Sequence, residues 1–294
     1  MSQNGQSPVE TRIVSYETIP ARLFACFTEV SPETASALSK AYETGERLPN
    51  GLSGLHRQQL MHMHRLGENG SVWEAGPSAG FARILNIYST PDMESARQMQ
   101  HDDPFYTAGL LTNDWWMEWS LHTPYWKTGQ PMRGEIEGLM RGIGVLPSYP
   151  AGVSPSIKVI HVEIVTPPKL IVSLAKADAS RIKQIENNDK AGRPIPAFLV
   201  QHAFNRLGPG GTTAMGYDWE SGPSADSLYD LTVFSVSSIE MARQLRENDP
   251  FTKHGLFYEP VYFEWFIHMP FRKASPVRRE ALQRFLEQSQ LTMP

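Results

Sequence analysis

Residues 73–126 of this 294-residue chain return, without a gap, at residues 219–272. The first copy runs from Trp73-Glu74-Ala75-Gly76-Pro77-Ser78 through Ala96-Arg97-Gln98 and Asp103-Pro104-Phe105 to Glu118-Trp119-Ser120-Leu121-His122. The second reads Trp219-Glu220-Ser221-Gly222-Pro223-Ser224, Ala242-Arg243-Gln244, Asp249-Pro250-Phe251 and Glu264-Trp265-Phe266-Ile267-His268, each 146 residues on. About 21 of these 54 positions are identical, where unrelated segments of ordinary usage would share roughly three. We read this as a tandem duplication, so a fold for one copy must serve the other. The expected division is a first repeat at 1–130, a linker at 131–156, a second repeat at 157–275 and a C-terminal helix and tail at 276–294.

A hydrophobic share of 40% with 20% charged residues reads as a soluble globular chain. The net charge of −4 is mild and Lys and Arg are scattered, which leaves no electrostatic footprint for nucleic acid. The one cysteine, Cys26, cannot form an internal disulfide and sits in an apolar run. No apolar stretch approaches the length of a membrane span, and Met1–Glu10 is polar with no signal-peptide core. The expectation is a cytoplasmic protein with no membrane partner.

Arg12–Thr18 and Leu23–Val30 read as strands, and Ser31-Pro32 opens a helix that stops at Gly45. Residues 46–58 read as loop, Leu60–Leu66 as a strand or a short helix, the strand being favoured by the hairpin loop Gly67-Glu68-Asn69-Gly70 that follows, and Ala82–Ser89 as a strand. Thr90-Pro91 starts a helix to about Gln100, and Trp115–His122 is the last strand. The second half repeats this order. Ile157–Val165, Leu170–Leu174, Phe198–Leu207, Leu228–Val236 and Val261–His268 read as strands, and Ala179–Asn188 and Ile239–Arg246 as helices, the latter with a Ser237/Glu240 capping box. The linker holds a short helix over Glu135–Arg141, and Val277–Gln290 is a charged outer helix. This order implies an α+β fold: antiparallel sheets with helices on one face. The bare face of such a sheet needs a partner, and a duplicated chain carries its own.

The run Glu94-x-Ala96-x(6)-Asp103-Pro104-Phe105-x(3)-Gly109-Leu110, with its copy from Glu240 to Leu256, resembles the YciI-like family of the dimeric α+β barrel superfamily. Gly76-Pro77 and Gly222-Pro223 match the family's Gly-Pro before the third strand. The resemblance implies ferredoxin-like units whose sheets meet face to face in a barrel, here within one chain. It implies small-molecule chemistry that ranges from cofactor-free monooxygenases to isomerases and dehydrochlorinases. In the family an aspartate of Asp-Pro-Phe pairs with a histidine on the first helix. Asp103 and Asp249 match the aspartate, while the first helices, about 33–44 and 179–188, contain no histidine.

The last strand carries most of the candidate chemistry. Its period of two places Trp115, Met117, Trp119 and Leu121 on one face, and Trp116, Glu118, Ser120 and His122 on the other. The copy sets Val261, Phe263, Trp265 and Ile267 against Tyr262, Glu264, Phe266 and His268. We expect the apolar face under the helices and the Glu/His face inside the barrel, where Glu118 could approach His268 and Glu264 could approach His122. Such pairs perform general acid–base work near neutral pH. The alternative is that these groups only tie down strand ends, and that Asp103 and Asp249 are turn aspartates.

Asn86, Tyr88, Trp116, Asp230 and Tyr262 are candidate pocket-lining groups. Trp73-Glu74 and Trp219-Glu220 read as structural. His62 and His64 share a face but lack a third ligand, so no metal is expected, and His161 and His202 read as ordinary histidines. No phosphate loop, dinucleotide fingerprint or nucleophile elbow is present. Divergent pairs such as Ile84/Asp230, Asn86/Thr232 and Ser120/Phe266 predict that one of two half-sites is the better developed.

The reading is a cofactor-independent lyase- or isomerase-type enzyme acting on a small aromatic or cyclic molecule. A cofactor-free monooxygenase and a non-catalytic binding or scaffold protein are the alternatives. Self-association into a homodimer is compatible with all three.

Overall fold

The computed structural model describes residues 22–122, 138 and 169–288, except 195, 209 and 214. The expected strands Arg12–Thr18 and Ile157–Val165, most of the linker helix, and His161 lie outside the described residues. The first unit runs β1 (Arg22–Val30), α1 (Pro32–Thr44), α2 (Asn50–Glu68), β2 (Val72–Pro77), β3 (Arg83–Thr90), α3 (Met93–His101), the single turn α4 (Pro104–Thr107) and β4 (Leu111–Trp119). The second runs β5 (Leu170–Ala177), α5 (Ala179–Lys190), α6 (Ala197–Leu207), β6 (Asp218–Pro223), β7 (Tyr229–Phe234), α7 (Ile239–Asn248), the turn α8 (Pro250–Lys253) and β8 (Phe257–Trp265). A short 3₁₀ turn, Phe271–Lys273, leads to α9 (Pro276–Gln288). No helix among the described residues is long and apolar enough to cross a membrane.

Local chemistry sets the boundaries. Pro32 opens α1, and Gly45 closes it in the left-handed region at φ 73° with its N–H on Ala41 O. The caps of α3 and α7 fall one or two residues from the expected ones. Asp92 accepts from Ser95 N, and Ser238, rather than Ser237, accepts from Met241 N.

Both sheets are antiparallel, in the orders β2-β3-β1-β4 and β6-β7-β5-β8, the ferredoxin-like arrangement. Their edges join. Beyond β8, Phe266 N donates to Pro77 O and His268 N to Ala75 O; beyond β4, Ser120 N donates to Pro223 O and His122 N to Ser221 O. The two sheets thus close into one α+β barrel of eight strands, joined at the two seams by the ends of β4 and β8. The repeated Gly-Pro has its reason here. A β-carbon on Gly76 would stand 1.8 Å from Phe266 O, and one on Gly222 1.8 Å from Ser120 O. Only glycine lets the two backbones pass that closely. The tryptophans of the last strands lock the seam, Trp119 Nε1 donating to Gly222 O at 3.0 Å and Trp265 Nε1 to Gly76 O at 2.9 Å.

The barrel interior is the main core. Leu85, Ile87, Met117, Trp119 and Leu121 of the first unit meet Leu231, Val233, Phe263, Trp265 and Ile267 of the second. This reverses the expected facing of the last strand. The apolar face fills the barrel, while Trp116 and Tyr262 pack on the helix side with Phe24 and Ile171. The physical reason is that two sheet faces in contact exclude water from both, whereas helices cover only part of the outer face. The carboxylates of the last strands, Glu118 and Glu264, therefore reach solvent on the outside.

The second correction concerns 60–66 and 198–207. Both are helical, in α2 and α6. In α2, His56, Leu60, Met63, Leu66 and Gly67 are buried at three- and four-residue spacing, the stripe of a helix rather than a strand. On the outer side of the barrel, Leu282 of α9 joins Met269 and Ala274 in the helix-side core of the first unit.

Candidate active site in the second unit

Helix α6 carries His202 and Arg206 one turn apart, on the same face. Asp249 stands at the N-terminus of α8 and accepts the N–H of Phe251 at 2.8 Å, as a turn aspartate does. The same carboxylate lies 2.8 Å from His202 Nδ1 and 3.4 Å from Arg206 Nε. The aspartate of Asp-Pro-Phe is therefore paired with a histidine, supplied by the second helix of the unit rather than the first. Burial pushes the Asp249 carboxyl up, but His202, Arg206 and Arg246 outweigh it and hold it well below the ordinary carboxylate range.

Arg206 ties this pair to a wider buried network. Its Nη1 donates to Asp218 Oδ1 at 3.1 Å and to Ser221 Oγ at 3.2 Å, and its Nη2 to Thr232 Oγ1 at 3.1 Å. Arg246 donates from Nη1 to Asp230 Oδ2 at 2.7 Å and from Nε to Ser173 Oγ at 3.2 Å. Two guanidiniums thus face three carboxylates behind the sheet, each partner satisfying what burial would otherwise penalise.

A cavity of about 490 Å³ opens against this network, large enough for a small organic ligand. One wall is apolar, with Ile182, Ile185, Leu199, Phe251 and Phe257; the other presents His202, Arg206, Asp230 and Ser221. His122 and Ser120, from the extension of β4 in the first unit, complete the polar wall. Burial and the neighbouring His202 lower the His122 imidazole pKa against the opposing pull of Asp230. The His122 ring makes no hydrogen bond with any described residue.

The equivalent place in the first unit is filled. At the offset of 146, Leu60 stands for Arg206, Val72 for Asp218, Ile84 for Asp230 and Gln100 for Arg246. The remaining space is about 40 Å³, walled by Leu60, Met63, Ile84, Phe105, His268 and Met269. His56, the counterpart of His202, is buried against Phe105, with its pKa pushed down to about 4 by burial. Asp103 meets Gln59 Nε2 at 3.5 Å and caps Phe105, and its carboxyl is pushed up by burial.

The remaining candidates separate. His122, Asp230 and Asp249 come together at the cavity. Glu118 is bound by Arg22, and Glu264 by Lys169 at 3.3 Å, both on the outer surface. The expected Glu118–His268 and Glu264–His122 pairs do not form, because the strand face that carries them points away from the barrel interior. His268 is buried beside the Tyr42 and Phe81 rings, its Nε2 has no hydrogen-bond partner among the described residues, and its pKa is pushed down to about 3 by burial with Arg278 and His56 nearby. Asn86 and Tyr88 both bond Gln100 Oε1, at 3.1 and 2.7 Å, and Trp116 stacks on Tyr88. Tyr262 packs under the Arg243 guanidinium.

Trp73 and Trp219 donate across the barrel to Glu220 and Glu74, at 3.0–3.1 Å, and Lys273 Nζ joins Glu74 at 3.1 Å. Sequence reasoning passed over His202 and Arg206. The available signal was that His56 and His202 keep the same 146-residue offset, outside the segment of high identity. Among the described residues no group of three or more His, Cys, Asp or Glu is placed to hold a metal ion.

No protein-family model and no curated protein matches the chain. Solved structures with a similar course include a chlorite dismutase variant from Candidatus Nitrospira defluvii, at 14% identity and a TM-score of 0.45, over 90% of this chain and 94% of that one. A dye-decolorizing peroxidase from Bacteroides thetaiotaomicron aligns at 8% identity and a TM-score of 0.40, over 92% and 97%. The 5-chloro-2-hydroxyhydroquinone dehydrochlorinase of Burkholderia phenoliruptrix, in complex with 2,5-dihydroxybenzoquinone, aligns at 20% identity and a TM-score of 0.21, over 32% of this chain and 89% of that one.

Proposed function

We propose that this chain is an enzyme that moves protons on a small organic molecule held in the second-unit cavity. One observation carries the reading: a histidine tied through Nδ1 to a buried aspartate opens on a cavity of about 490 Å³ that also receives a second imidazole, from the other unit. The ionised Asp249 accepts the Nδ1–H of His202, which leaves Nε2 as the basic atom and stabilises the imidazolium that forms when it takes a proton. His122, held uncharged by burial and without a hydrogen bond to any described residue, can relay a proton on the other side, taking one on its free ring nitrogen as it gives up the other, while the imidazolium of His202 returns the proton it has taken. Abstraction at one position and protonation or departure of a group at another is an elimination or isomerisation, and the apolar wall suits a cyclic or aromatic body.

This reading places the chain with the YciI-like proteins, whose histidine–aspartate pair it shares in kind. It treats the two units as duplicated copies, of which only the second kept a working site. The test is turnover of a panel of cyclic and aromatic hydroxy compounds and lactones, in air and under nitrogen. His202→Ala and Asp249→Asn should lower kcat by about 10²–10⁴ in folded protein. Unchanged turnover in both variants would sink the assignment. A strict need for oxygen would move the reaction to the monooxygenase class.

A further inference from the structure

We infer that the ligand of this cavity is an uncharged molecule that offers a hydroxyl or similar hydrogen-bond donor to the polar wall and an apolar body to the helices. The inference rests on the second-unit cavity being the binding site. It follows from which polar atoms of the wall are already engaged.

Arg206 is the cation nearest to hand for an anionic ligand, and it is occupied. A guanidinium has five N–H donors. Four of them go to Asp249, Asp218, Ser221 and Thr232. Its charge is matched by two carboxylates at 3.1 and 3.4 Å. Arg246 keeps an Nη2 without a partner among the described residues, but this atom is sealed from solvent, and its guanidinium lies over Phe234 and Phe257 behind the cavity wall.

The atoms that remain are mostly acceptors. Asp230 lines the cavity; its Oδ2 takes Arg246 and Thr232, and its Oδ1 accepts no side-chain hydrogen bond from the described residues. An ionised carboxylate accepts and cannot donate. His202, with its Nδ1–H on Asp249, presents Nε2 as an acceptor, and a neutral His122 presents one acceptor and one N–H. A carboxylate or phosphate placed here would face Asp230 with no free cation among the described residues to compensate. An ammonium would gain Asp230, and Glu186 at the rim, but it would share the polar wall with the Arg206 guanidinium and leave water for a cavity whose other wall is apolar. A neutral O–H donor meets Asp230 or His202 at no such cost, and it also brings a transferable proton to Nε2.

The test uses the full chain and three probes of one shape: 2-naphthol, 2-naphthoate and 2-(aminomethyl)naphthalene, titrated calorimetrically at neutral pH. Naphthol should bind at least ten-fold more tightly than either charged probe. Asp230→Asn, which keeps an oxygen for Arg246 but removes the charge, should narrow the naphthol-to-naphthoate ratio several-fold, mainly through a gain by naphthoate. If that variant does not fold, the wild-type ratio alone decides. Naphthoate or the amine binding as tightly as naphthol overturns the inference and leaves the acid–base reading intact. Failure of all three probes to bind counts against the cavity as a site, and so against both.

Discussion

At the scale of single residues, burial decides what each ionisable group can do. Glu118 and Glu264 are polar neighbours of buried strands, yet their carboxylates sit in exposed ion pairs with Arg22 and Lys169. Such pairs contribute between 0 and about 1 kcal/mol. Glu118→Gln and Glu264→Gln should therefore shift chemical-denaturation stability by less than about 1 kcal/mol and leave ligand binding intact. His268 is the opposite case. Its folded pKa of about 3 lies below the ordinary histidine value of about 6.5, so the unfolded chain takes up the proton first as pH falls. The stability it contributes is full above pH ~6.5 and is lost progressively as pH falls towards 3. His56, at about 4, adds to the same slope. Each should steepen the loss by about 1.4 kcal/mol per pH unit within its window. Stability measured against pH should be visibly flatter in His268→Phe.

Gly76 and Gly222 carry a steric argument at the same scale. Alanine at either position puts a β-carbon on a carbonyl oxygen at 1.8 Å, so each variant should lose roughly 2 kcal/mol or more in denaturant melts.

At the scale of elements, α6 is the piece that makes the second unit different. Its three- and four-residue spacing delivers His202 and Arg206 to one face, while α2 delivers His56 and Leu60 to the same place in the first unit. The ionic network is thus a set of matched replacements, and it should behave as one. Arg206→Leu alone strands Asp218 and Asp249 without their guanidinium and should cost about 3–5 kcal/mol. Arg206→Leu combined with Asp218→Val, Asp230→Ile and Arg246→Gln imports the first unit's solution and should recover most of that loss. Thermal melts of the single and quadruple variants decide the point. A quadruple variant no more stable than the single one would show that the two helices do not occupy equivalent places.

At the scale of the whole molecule, each sheet buries its apolar face only against the other. The interior holds Trp119 and Trp265 with their N–H groups bonded across the seam, and each unit's Glu is held by the other unit's Trp. A unit alone would expose this face. Residues 1–130 and 157–294, expressed separately, should aggregate or self-associate, and together they should form a soluble 1:1 complex on size-exclusion chromatography. Two stable, independent monomers would contradict this account. The second-unit cavity shares the dependence, because His122 reaches it only when β4 of the first unit lies along β6 of the second.

The strands β2 and β6, which carry the Gly-Pro, are not marked by the period of the sequence; what the sequence by itself determined is the repeat, the other three strands of each unit, the helix starts at Pro32 and near Ser238, and the alternation along the last strand. These are local properties: period, punctuation and identity at a fixed offset. The α+β class and the need for a second sheet followed from them. Which face of the last strand turned inward was a tertiary decision. Both faces carry large apolar groups, and only the closure of the barrel shows that the drier of the two is sheet against sheet. The helical state of 60–66 and 198–207 was also decided above the local level, since a short apolar run fits either period until its stripe has something to pack on. The site was legible in part. His122, Asp230 and Asp249 could be singled out as ionisable groups in a repeated frame, but their partners could not. His202 meets Asp249 across 47 residues, and His122 joins them from the other half of the chain. Only the closed barrel brings those atoms within reach.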